Sequence, residues 1–215
     1  MQEGEKRYER AYIYTGGRVY LEDVTERPEK GDFVIAADSG YRVAEAFGVR
    51  VDVLVGDFDS LGEPRVPEGC ELIRVPAEKN STDTHLAVEI ALERGVREIV
   101  IIGGLEGRLD HTLSSVAILE DLAARRVHAI LTSGRSRVRF LRNGGAIIAR
   151  SAYRYLSLVA ADPTVKGVTV EGCKYPLKNA RLTRRFQYAV SNEIEGNCAL
   201  VEVKRGGLWV IESRD

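Results

Sequence analysis

Short apolar runs rich in β-branched residues recur along the first two thirds of the chain, separated by stretches with a helical period. Leu86 to Arg94 and Leu113 to Arg125 place apolar residues at three- and four-residue steps, which is typical of amphipathic helices. The alternation predicts βαβ units, so we expect an α/β fold with a mostly parallel sheet flanked by helices. The predicted strands are Ala11 to Tyr14, Phe33 to Ala37, Val51 to Val55, Ile99 to Ile102 and Ala129 to Thr132.

The helical period disappears after Gly144 and Gly145, and the remaining runs predict a smaller C-terminal all-β sandwich or barrel. We therefore expect an α/β domain over 1–142 and a β domain over 143–215. Arg142-Asn143-Gly144-Gly145 fits either the interdomain joint or a hairpin turn, and a hairpin would put the boundary several residues earlier. The runs are Ala146 to Ala149, Tyr153 to Val159, Gly167 to Val170, Phe186 to Val190, Ala199 to Val203 and Leu208 to Ile211.

Charge and cysteine content narrow the range of partners. The chain has 31 Lys and Arg against 32 Asp and Glu, a balance that gives no field over the whole molecule for attracting nucleic acid or an anionic membrane. We therefore expect neither as a partner, and the lack of a long apolar run leads us to expect a cytoplasmic protein. Cys70, Cys173 and Cys198 lack C-x-x-C spacing, which argues against zinc or a disulfide framework.

Glycine and aspartate residues follow four of the predicted strands. In an open parallel sheet a ligand lies beyond the carboxyl ends of the strands, so these segments are expected to converge on one edge. Glycines there let backbone N–H groups approach phosphate oxygens, and the N-termini of following helices add positive dipole ends. The sequence therefore predicts a polyphosphate site. The segments are Thr15-Gly16-Gly17, Asp38-Ser39-Gly40, Gly56-Asp57-Phe58-Asp59-Ser60 and 103–111.

Three aspartates in or near these segments suit a metal ion. Asp57 and Asp59 flank Phe58, so strand alternation directs both carboxylates to one side, and Asp83 opens the next long helix. Carboxylates held together repel one another, and a hard divalent cation is the natural compensation. Mg²⁺ in particular combines one or two carboxylates with water and substrate phosphates. Lys79 and Arg108 are the candidates for neutralising phosphate charge.

Each residue taken alone has a plainer structural interpretation. Ser39, Thr82 or Asp83, and Asp110 stand where helices begin and fit N-caps, and the glycines fit turns. The sequence has no G-x-x-x-x-G-K-[ST] loop and no G-x-G-x-x-G fingerprint. The joint placement of Gly or Asp at four strand ends is what favours a nucleotide site.

These segments resemble the thiamine pyrophosphokinase family in both residue type and order. The resemblance extends into the β domain, so it covers nearly the whole chain, but Asn80 and His85 stand where we expect acidic residues. In the first domain it rests on Ala37-Asp38-Ser39-Gly40, Val55-Gly56-Asp57-Phe58-Asp59-Ser60, Lys79 with Thr82-Asp83, and Gly107-Arg108-Leu109-Asp110-His111. In the second it rests on Gly172-Cys173-Lys174-Tyr175-Pro176-Leu177, Ser191-Asn192-Glu193 and Gly207-Leu208-Trp209.

The resemblance implies that the thiamine hydroxyl attacks the β-phosphorus of ATP, giving thiamine diphosphate and AMP. It implies a homodimer that holds thiamine between the α/β domain of one subunit and the β domain of the other. It also implies site roles. Mg²⁺ is assigned to Asp57, Asp59 and Asp83, which with Arg108 and Asp110 form the catalytic set, Asp110 orienting Arg108 or its loop. ATP is assigned to Gly17, Asp38, Ser39, Gly40, Lys79, Thr82, Arg108 and His111, and thiamine to Tyr175, Ser191, Asn192 and Trp209.

Three other functions remain open from the sequence. A pyrophosphokinase for another small alcohol, such as a hydroxymethyl pterin, could use the same α/β site. A nucleotide-sensing module would bind without turnover, and a metal-dependent phosphohydrolase would consume ATP without an acceptor.

Overall fold

The computed structural model describes residues 7–58, 68–76 and 82–215. They form two compact units, Met1–Gly134 and Arg135–Asp215. The boundary therefore falls between Gly134 and Arg135, earlier than the predicted one between Arg142 and Asn143, because the strand before Asn143 pairs within the second unit. Within the described ranges, no helix combines the length and apolar character that a membrane span requires.

The first unit contains a parallel sheet in the order β4-β3-β2-β1-β5-β6. From β1 the chain builds outward through β2 to β4, then returns to place β5 on the other side of β1. The gap between the carboxyl ends of β1 and β5 is thus the point where strand order reverses, the usual ligand position in such sheets. The strands are β1 Arg10–Tyr14, β2 Phe33–Ala37, β3 Val53–Gly56, β4 Glu71–Arg74, β5 Glu98–Ile102 and β6 His128–Thr132.

Three described helices begin close to this carboxyl edge. They are α1 (Gly40–Ala46), α2 (Asp83–Glu93) and α3 (Leu109–Ala124). The helices α2 and α3 bury small and aliphatic side chains such as Ala87 and Leu119, while strands β2 and β3 are continuously apolar and buried. Burial on both faces explains the lack of polar alternation in these strands and confirms the predicted parallel α/β unit.

The predicted elements of this unit are found with boundaries shifted by a few residues. The two predicted helices begin earlier than their periodic segments, at Asp83 and Leu109, because polar residues in their first turns interrupt the apolar period. Of α1 the sequence indicated only the start, at Ser39, and β4 was not predicted. Strand β4 is short and mostly exposed, so it lacks the apolar run by which the others were recognised.

The second unit is a sandwich of two antiparallel sheets, as predicted. In one sheet β13 pairs with β7 and β9, and the other has the order β11-β10-β12-β8. Side chains of both sheets, including Leu158, Val210, Val168 and Val201, share one core. The strands are β7 Ser136–Arg142, β8 Gly145–Ala149, β9 Tyr155–Ala160, β10 Thr164–Glu171, β11 Leu177–Thr183, β12 Cys198–Arg205 and β13 Gly207–Ser213.

One predicted strand of this unit was wrong, and the hairpin alternative for the turn at Asn143 is excluded. The segment from Phe186 to Val190 is not a strand but an irregular stretch with one isolated bridge, between Thr183 and Phe186. The turn at Asn143 does not close a hairpin, because β7 and β8 pair in different sheets. Strands β7 and β11 were not predicted, since their charged residues interrupt the apolar pattern.

Candidate active site

A cavity of about 680 Å³ lies at the carboxyl edge of the parallel sheet, where strand order reverses. Its wall is built from the segments that follow β1, β2, β3 and β5 and from the first turns of α2 and α3. The strand ends with Gly and Asp therefore do converge. The lining residues are Thr15, Gly16, Gly17, Ala37, Asp38, Ser39, Asp57, Thr82, Asp83, Thr84, Gly104, Glu106, Gly107, Arg108, His111, Thr112 and Ser115.

Glycine allows the loops after β1 and β5 to meet backbone to backbone. Gly17 has φ +99°, and a Cβ there would lie 2.6 Å from the carbonyl oxygen of Glu106. The N–H of Gly104 donates to the carbonyl of Gly16 at 2.9 Å. This part of the cavity wall is thus peptide backbone, which suits close approach of phosphate oxygens.

Three aspartates line the cavity, Asp38, Asp57 and Asp83, together with one glutamate, Glu106. Asp57 is partly buried in the wall, whereas Phe58 is 3% exposed and packs in the core of the unit. The predicted opposition of Asp57 and Phe58 is therefore observed. Asp59, the other half of that prediction, lies outside the described residues.

The first turn of α2 carries Asp83 into the wall. Thr82 is the N-cap, and its Oγ1 accepts a hydrogen bond from the N–H of His85 at 3.2 Å. The hydroxyls of Thr84 and Thr15, both buried, are 2.6 Å apart and join this turn to the end of β1. Thr82 thus serves as the cap that its position suggested while also lining the cavity.

Arg108 and Asp110 form a bidentate ion pair at the start of α3. The Arg108 Nε lies 3.2 Å from Asp110 Oδ1 and the Nη2 lies 2.6 Å from Oδ2. Hydrogen bonding to Arg108 lowers the pKa of Asp110 and, in return, raises the pKa of Arg108. The Arg108 side chain is 74% exposed, so the pair holds a cation at the cavity that is still open to a ligand.

The donor chemistry of the cavity fits a hard divalent cation. Asp57 and Asp83 face one space whose remaining wall supplies hydroxyls and peptide groups, and oxygen donors are what Mg²⁺ selects. Across residues 7–58, 68–76 and 82–215 no group of three metal-ligating side chains is found. Two carboxylates match the usual protein share of a magnesium site, in which phosphates and water complete the octahedron.

Most of the residues predicted to bind ATP line this cavity. The exceptions are Lys79, which lies outside the described residues, and Gly40, which is buried behind the wall against the carbonyl of Tyr14. Among the lining residues, Thr15, Thr84, Glu106, Thr112 and Ser115 were not predicted from the sequence. Thr15 and Glu106 stand inside segments already singled out, but Thr84, Thr112 and Ser115 could be found only once the helix starts were known.

Three of the four predicted thiamine residues lie together in the second unit. Tyr175 and Asn192 line a hollow of about 100 Å³ with apolar side chains such as Leu156. Asn192 accepts from the N–H of Tyr175 at 3.0 Å and donates to its carbonyl at 2.8 Å, which fixes the backbone of Tyr175. The adjacent Ser191 has φ +57° and donates its N–H to Ser157 Oγ at 2.9 Å.

Trp209 does not join this group. Its neighbours Leu208 and Val210 are buried in the sandwich core, so alternation along β13 directs Trp209 to the opposite face of its sheet. There it packs edge to face on Phe140, with ring centroids 5.9 Å apart. The sequence alone did not show that Trp209 lies away from the other three predicted thiamine residues. The face of the sheet on which a side chain lies depends on the register of its strand.

The fold and cavity define a class: a two-unit protein whose parallel α/β unit has a polyphosphate-type cavity at the strand-order reversal and whose second unit is an antiparallel sandwich. Residues 25–131 match the family model "Thiamin pyrophosphokinase, catalytic domain", and residues 146–208 match "Thiamin pyrophosphokinase, vitamin B1 binding domain". The chain belongs to the thiamin pyrophosphokinase family and is an enzyme.

Known proteins resemble the chain over nearly its full length. It is 28% identical over 209 residues to the thiamine pyrophosphokinase of Bacillus subtilis, covering 94% of this chain and 98% of that one. A crystal structure of the B. subtilis protein superposes with a TM-score of 0.88 at 25% identity, covering 96% of this chain and all of that one. The Geobacillus thermodenitrificans thiamin pyrophosphokinase has a TM-score of 0.83 at 27% identity, covering 96% and 98%.

Proposed function

We propose that this enzyme transfers the pyrophosphoryl group of ATP to the hydroxyl of thiamine, giving thiamine diphosphate and AMP. The observation that carries the proposal is one cavity whose wall combines carboxylates, an oriented guanidinium and closely packed backbone. Such transfers depend mainly on alignment and charge neutralisation, so this set of groups suits them without a protein nucleophile. The match to both family domains supports thiamine as the acceptor.

ATP phosphates would bind along the backbone between the loops after β1 and β5 and at the start of α3. Arg108 is the cation at this end of the cavity, and its planar fork suits a phosphate. Asp110 would keep the guanidinium extended toward the phosphates, because both of its oxygens engage Arg108. Lys79 is proposed as a second phosphate cation.

We propose that Asp57, Asp59 and Asp83 hold Mg²⁺ together with the ATP phosphates. The ion would neutralise phosphate charge and fix the chain of phosphates in one orientation. Asp57 and Asp83 already face the same cavity, which is the arrangement this role needs.

In the reaction the thiamine oxygen forms a bond to the β-phosphorus while the bond from that phosphorus to the oxygen bridging it to the α-phosphate breaks. AMP leaves with that bridging oxygen. We propose that a carboxylate of the cavity accepts the hydroxyl proton. The contribution of the chain is to hold the acceptor oxygen and the leaving oxygen in line.

Thiamine is proposed to bind at Tyr175, Ser191 and Asn192. Their hollow of about 100 Å³ is well below the roughly 300 Å³ at which small-molecule pockets begin, so it needs a second surface to enclose thiamine. We propose that the α/β domain of a second copy supplies that surface in a homodimer. The hollow would then hold one side of thiamine and the partner would present ATP to its hydroxyl.

We place this activity in the cytoplasm. The three cysteines are all free thiols, a state typical of a reducing compartment. ATP, the proposed co-substrate, is also available there.

One assay tests the proposal directly. Purified protein is incubated with ATP and Mg²⁺, alone, with thiamine, or with a hydroxymethyl pterin, and AMP and diphosphate esters are measured by chromatography. We expect AMP and thiamine diphosphate in equal amounts, only with thiamine, and loss of both with EDTA. AMP release without an acceptor would indicate hydrolysis instead, and tight ATP binding without product would indicate a sensor.

A further inference from the structure

The net charge of the chain is close to zero, but its two units carry net charges of opposite sign. Residues 1–134 carry 16 Lys and Arg against 25 Asp and Glu, whereas residues 135–215 carry 15 against 7. The second unit is therefore strongly basic. A domain of that charge attracts polyanions at long range even when the whole chain does not.

Part of this charge is arranged as a row across three adjacent strands. Lys166 on β10 is directly in register with Arg181 on β11 and with Arg205 on β12. All three side chains are exposed, and neighbouring strands lie about 4.8 Å apart, so the cationic row spans roughly 10 Å. Like charges directly opposite one another destabilise a sheet, so packing within the unit does not explain this arrangement.

Acidic side chains do not neutralise the cationic row. Within residues 135–215, all described, Lys166, Arg181 and Arg205 form no ion pair, and the guanidinium of Arg181 hydrogen-bonds only to the hydroxyl of Thr164, at 3.5 Å. The carboxylate of Asp162, two residues before β10, is engaged by Arg142 at 3.2 Å and by the N–H of Gly207 at 3.1 Å.

Exposed aromatic rings lie beside the cationic row. Phe186 is 69% exposed and follows β11 by a turn in which its N–H donates to the carbonyl of Thr183 at 3.2 Å. Tyr188, which also lines the hollow at Tyr175 and Asn192, is 44% exposed. Its hydroxyl donates to the carbonyl of Arg181 at 3.4 Å, and its ring centroid is 5.7 Å from that of Phe186. Arg184 and Arg185, also exposed, occupy the turn between the row and the rings.

We propose that the cationic row and Phe186 form a binding surface for single-stranded nucleic acid. A row of cations follows a phosphate backbone, and exposed rings next to it stack on bases of any sequence. An acidic peptide would use the cations but would leave Phe186 without a base to stack on, and the test below distinguishes an anionic lipid surface, which could take up the ring. The expectation from net charge that nucleic acid is not a partner is therefore revised for this unit alone.

The test measures fluorescence anisotropy of a labelled single-stranded RNA of mixed sequence, titrated with the full-length protein at several salt concentrations. Three phosphate contacts predict a slope of log affinity against log salt of about −2. Lys166→Glu should weaken binding by about tenfold or more, since it reverses the central charge of the row. Phe186→Ala should weaken binding and leave the salt slope unchanged.

Arg150→Glu is the matched control, because the side chain of Arg150 is exposed, hydrogen-bonds only to the carbonyl of Glu195 at 3.2 Å and lies outside the cationic row. It should bind RNA within about twofold of the unaltered protein. Lys166→Gln serves if Lys166→Glu does not fold, and thiamine diphosphate formation by either variant confirms an intact enzyme. Equal losses in Lys166→Glu and Arg150→Glu, absence of RNA binding, or binding to anionic lipid vesicles but not to RNA would each overturn the proposal.

Discussion

At the scale of single residues, Arg108 and Asp110 show how the chain prepares a cation for a ligand. The two groups form their bidentate pair at the surface, at 2.6 Å and 3.2 Å. The pair gives the guanidinium a preferred direction, so less side-chain freedom is lost when it binds a phosphate.

The ion pair between Arg108 and Asp110 predicts how the carboxyl group of Asp110 titrates. The pKa of Asp110 is lowered, chiefly by the hydrogen bond from Arg108, so the pairing is fully present above the ordinary pKa of aspartate, about 3.9, and is lost as pH falls through the lowered value. Carboxyl ¹³C NMR should show Asp110 titrating below that ordinary value, and Arg108→Ala should return it toward about 3.9. An unchanged midpoint in Arg108→Ala would contradict the pairing.

Asp57 and Asp83 give the second prediction at this scale. Asp57→Asn and Asp83→Asn should each lower kcat by about two orders of magnitude or more, because each removes charge that holds the metal and phosphates. The same is expected of Asp59→Asn. Thiamine diphosphate formation is measured at several Mg²⁺ concentrations, with circular dichroism as a check of folding.

Asp121→Asn is the control for these aspartates, since Asp121 pairs with Arg125 at 2.9 Å near the end of α3 and does not line the cavity. It should leave kcat within about twofold. Wild-type rates in Asp57→Asn would refute the assignment to the metal.

At the scale of elements, the position of α2 relative to β1 decides where Asp83 lies. The hydrogen bond between Thr15 and Thr84 is the buried polar link between the two elements, with both residues at most 8% exposed. We predict that Thr84→Val lowers the free energy of unfolding by about 1–2 kcal/mol, because the Thr15 hydroxyl is left buried without its partner.

A double-mutant cycle with Thr15→Val checks this link by urea denaturation. The coupling should be about 1 kcal/mol, and Thr84→Ser should restore most of the stability. Thr84→Val should also raise the Mg²⁺ concentration needed for half-maximal activity more than it lowers kcat. Strict additivity of the two Val substitutions would show that the hydroxyls do not interact.

Gly40 gives a second prediction at the element scale. Helix α1 begins against the end of β1, and a Cβ on Gly40 would overlap the carbonyl oxygen of Tyr14. Gly40→Ala should therefore destabilise the protein by about 1–3 kcal/mol in urea denaturation. Gly196→Ala is the matched control, because nothing lies within 4 Å of its added Cβ, and it should change stability by less than about 0.5 kcal/mol.

Elements with a strong pattern were predictable from the sequence, and weakly patterned ones were not. The parallel strands were recognised because each is a short continuous apolar run, as in Phe33–Ala37. Strand β11 was missed because Lys178, Asn179 and Arg181 face solvent on an edge strand. The cavity was predictable since its residues follow strands directly, whereas the placement of Trp209 required the register of β13 with β7.

At the scale of the whole molecule, the proposed dimer predicts that two defective variants repair each other. Asp57→Asn damages the α/β site, and Asn192→Ala damages the thiamine hollow. A mixed dimer contains one subunit of each variant. One of its two shared sites therefore carries both changes, and the other carries neither. Random mixing should restore about a quarter of wild-type activity after unfolding and refolding the variants together. Thiamine diphosphate formation is compared with each variant refolded alone, and no recovery would contradict a shared site.

The pairing of β7 with β13 also has a consequence for synthesis on the ribosome. Arg142 pairs with Gly207 and Ser136 with Ser213, so every residue of β7 is made 65 to 77 residues before its partner. At 5–20 residues per second, β7 waits roughly 3 to 15 s. The parallel unit, complete in sequence by Gly134, can fold during that interval, while the sandwich has to wait for β13. A nascent chain stalled before Gly207 should therefore leave the edge of β7 that pairs with β13 open to chaperones after the α/β unit has folded.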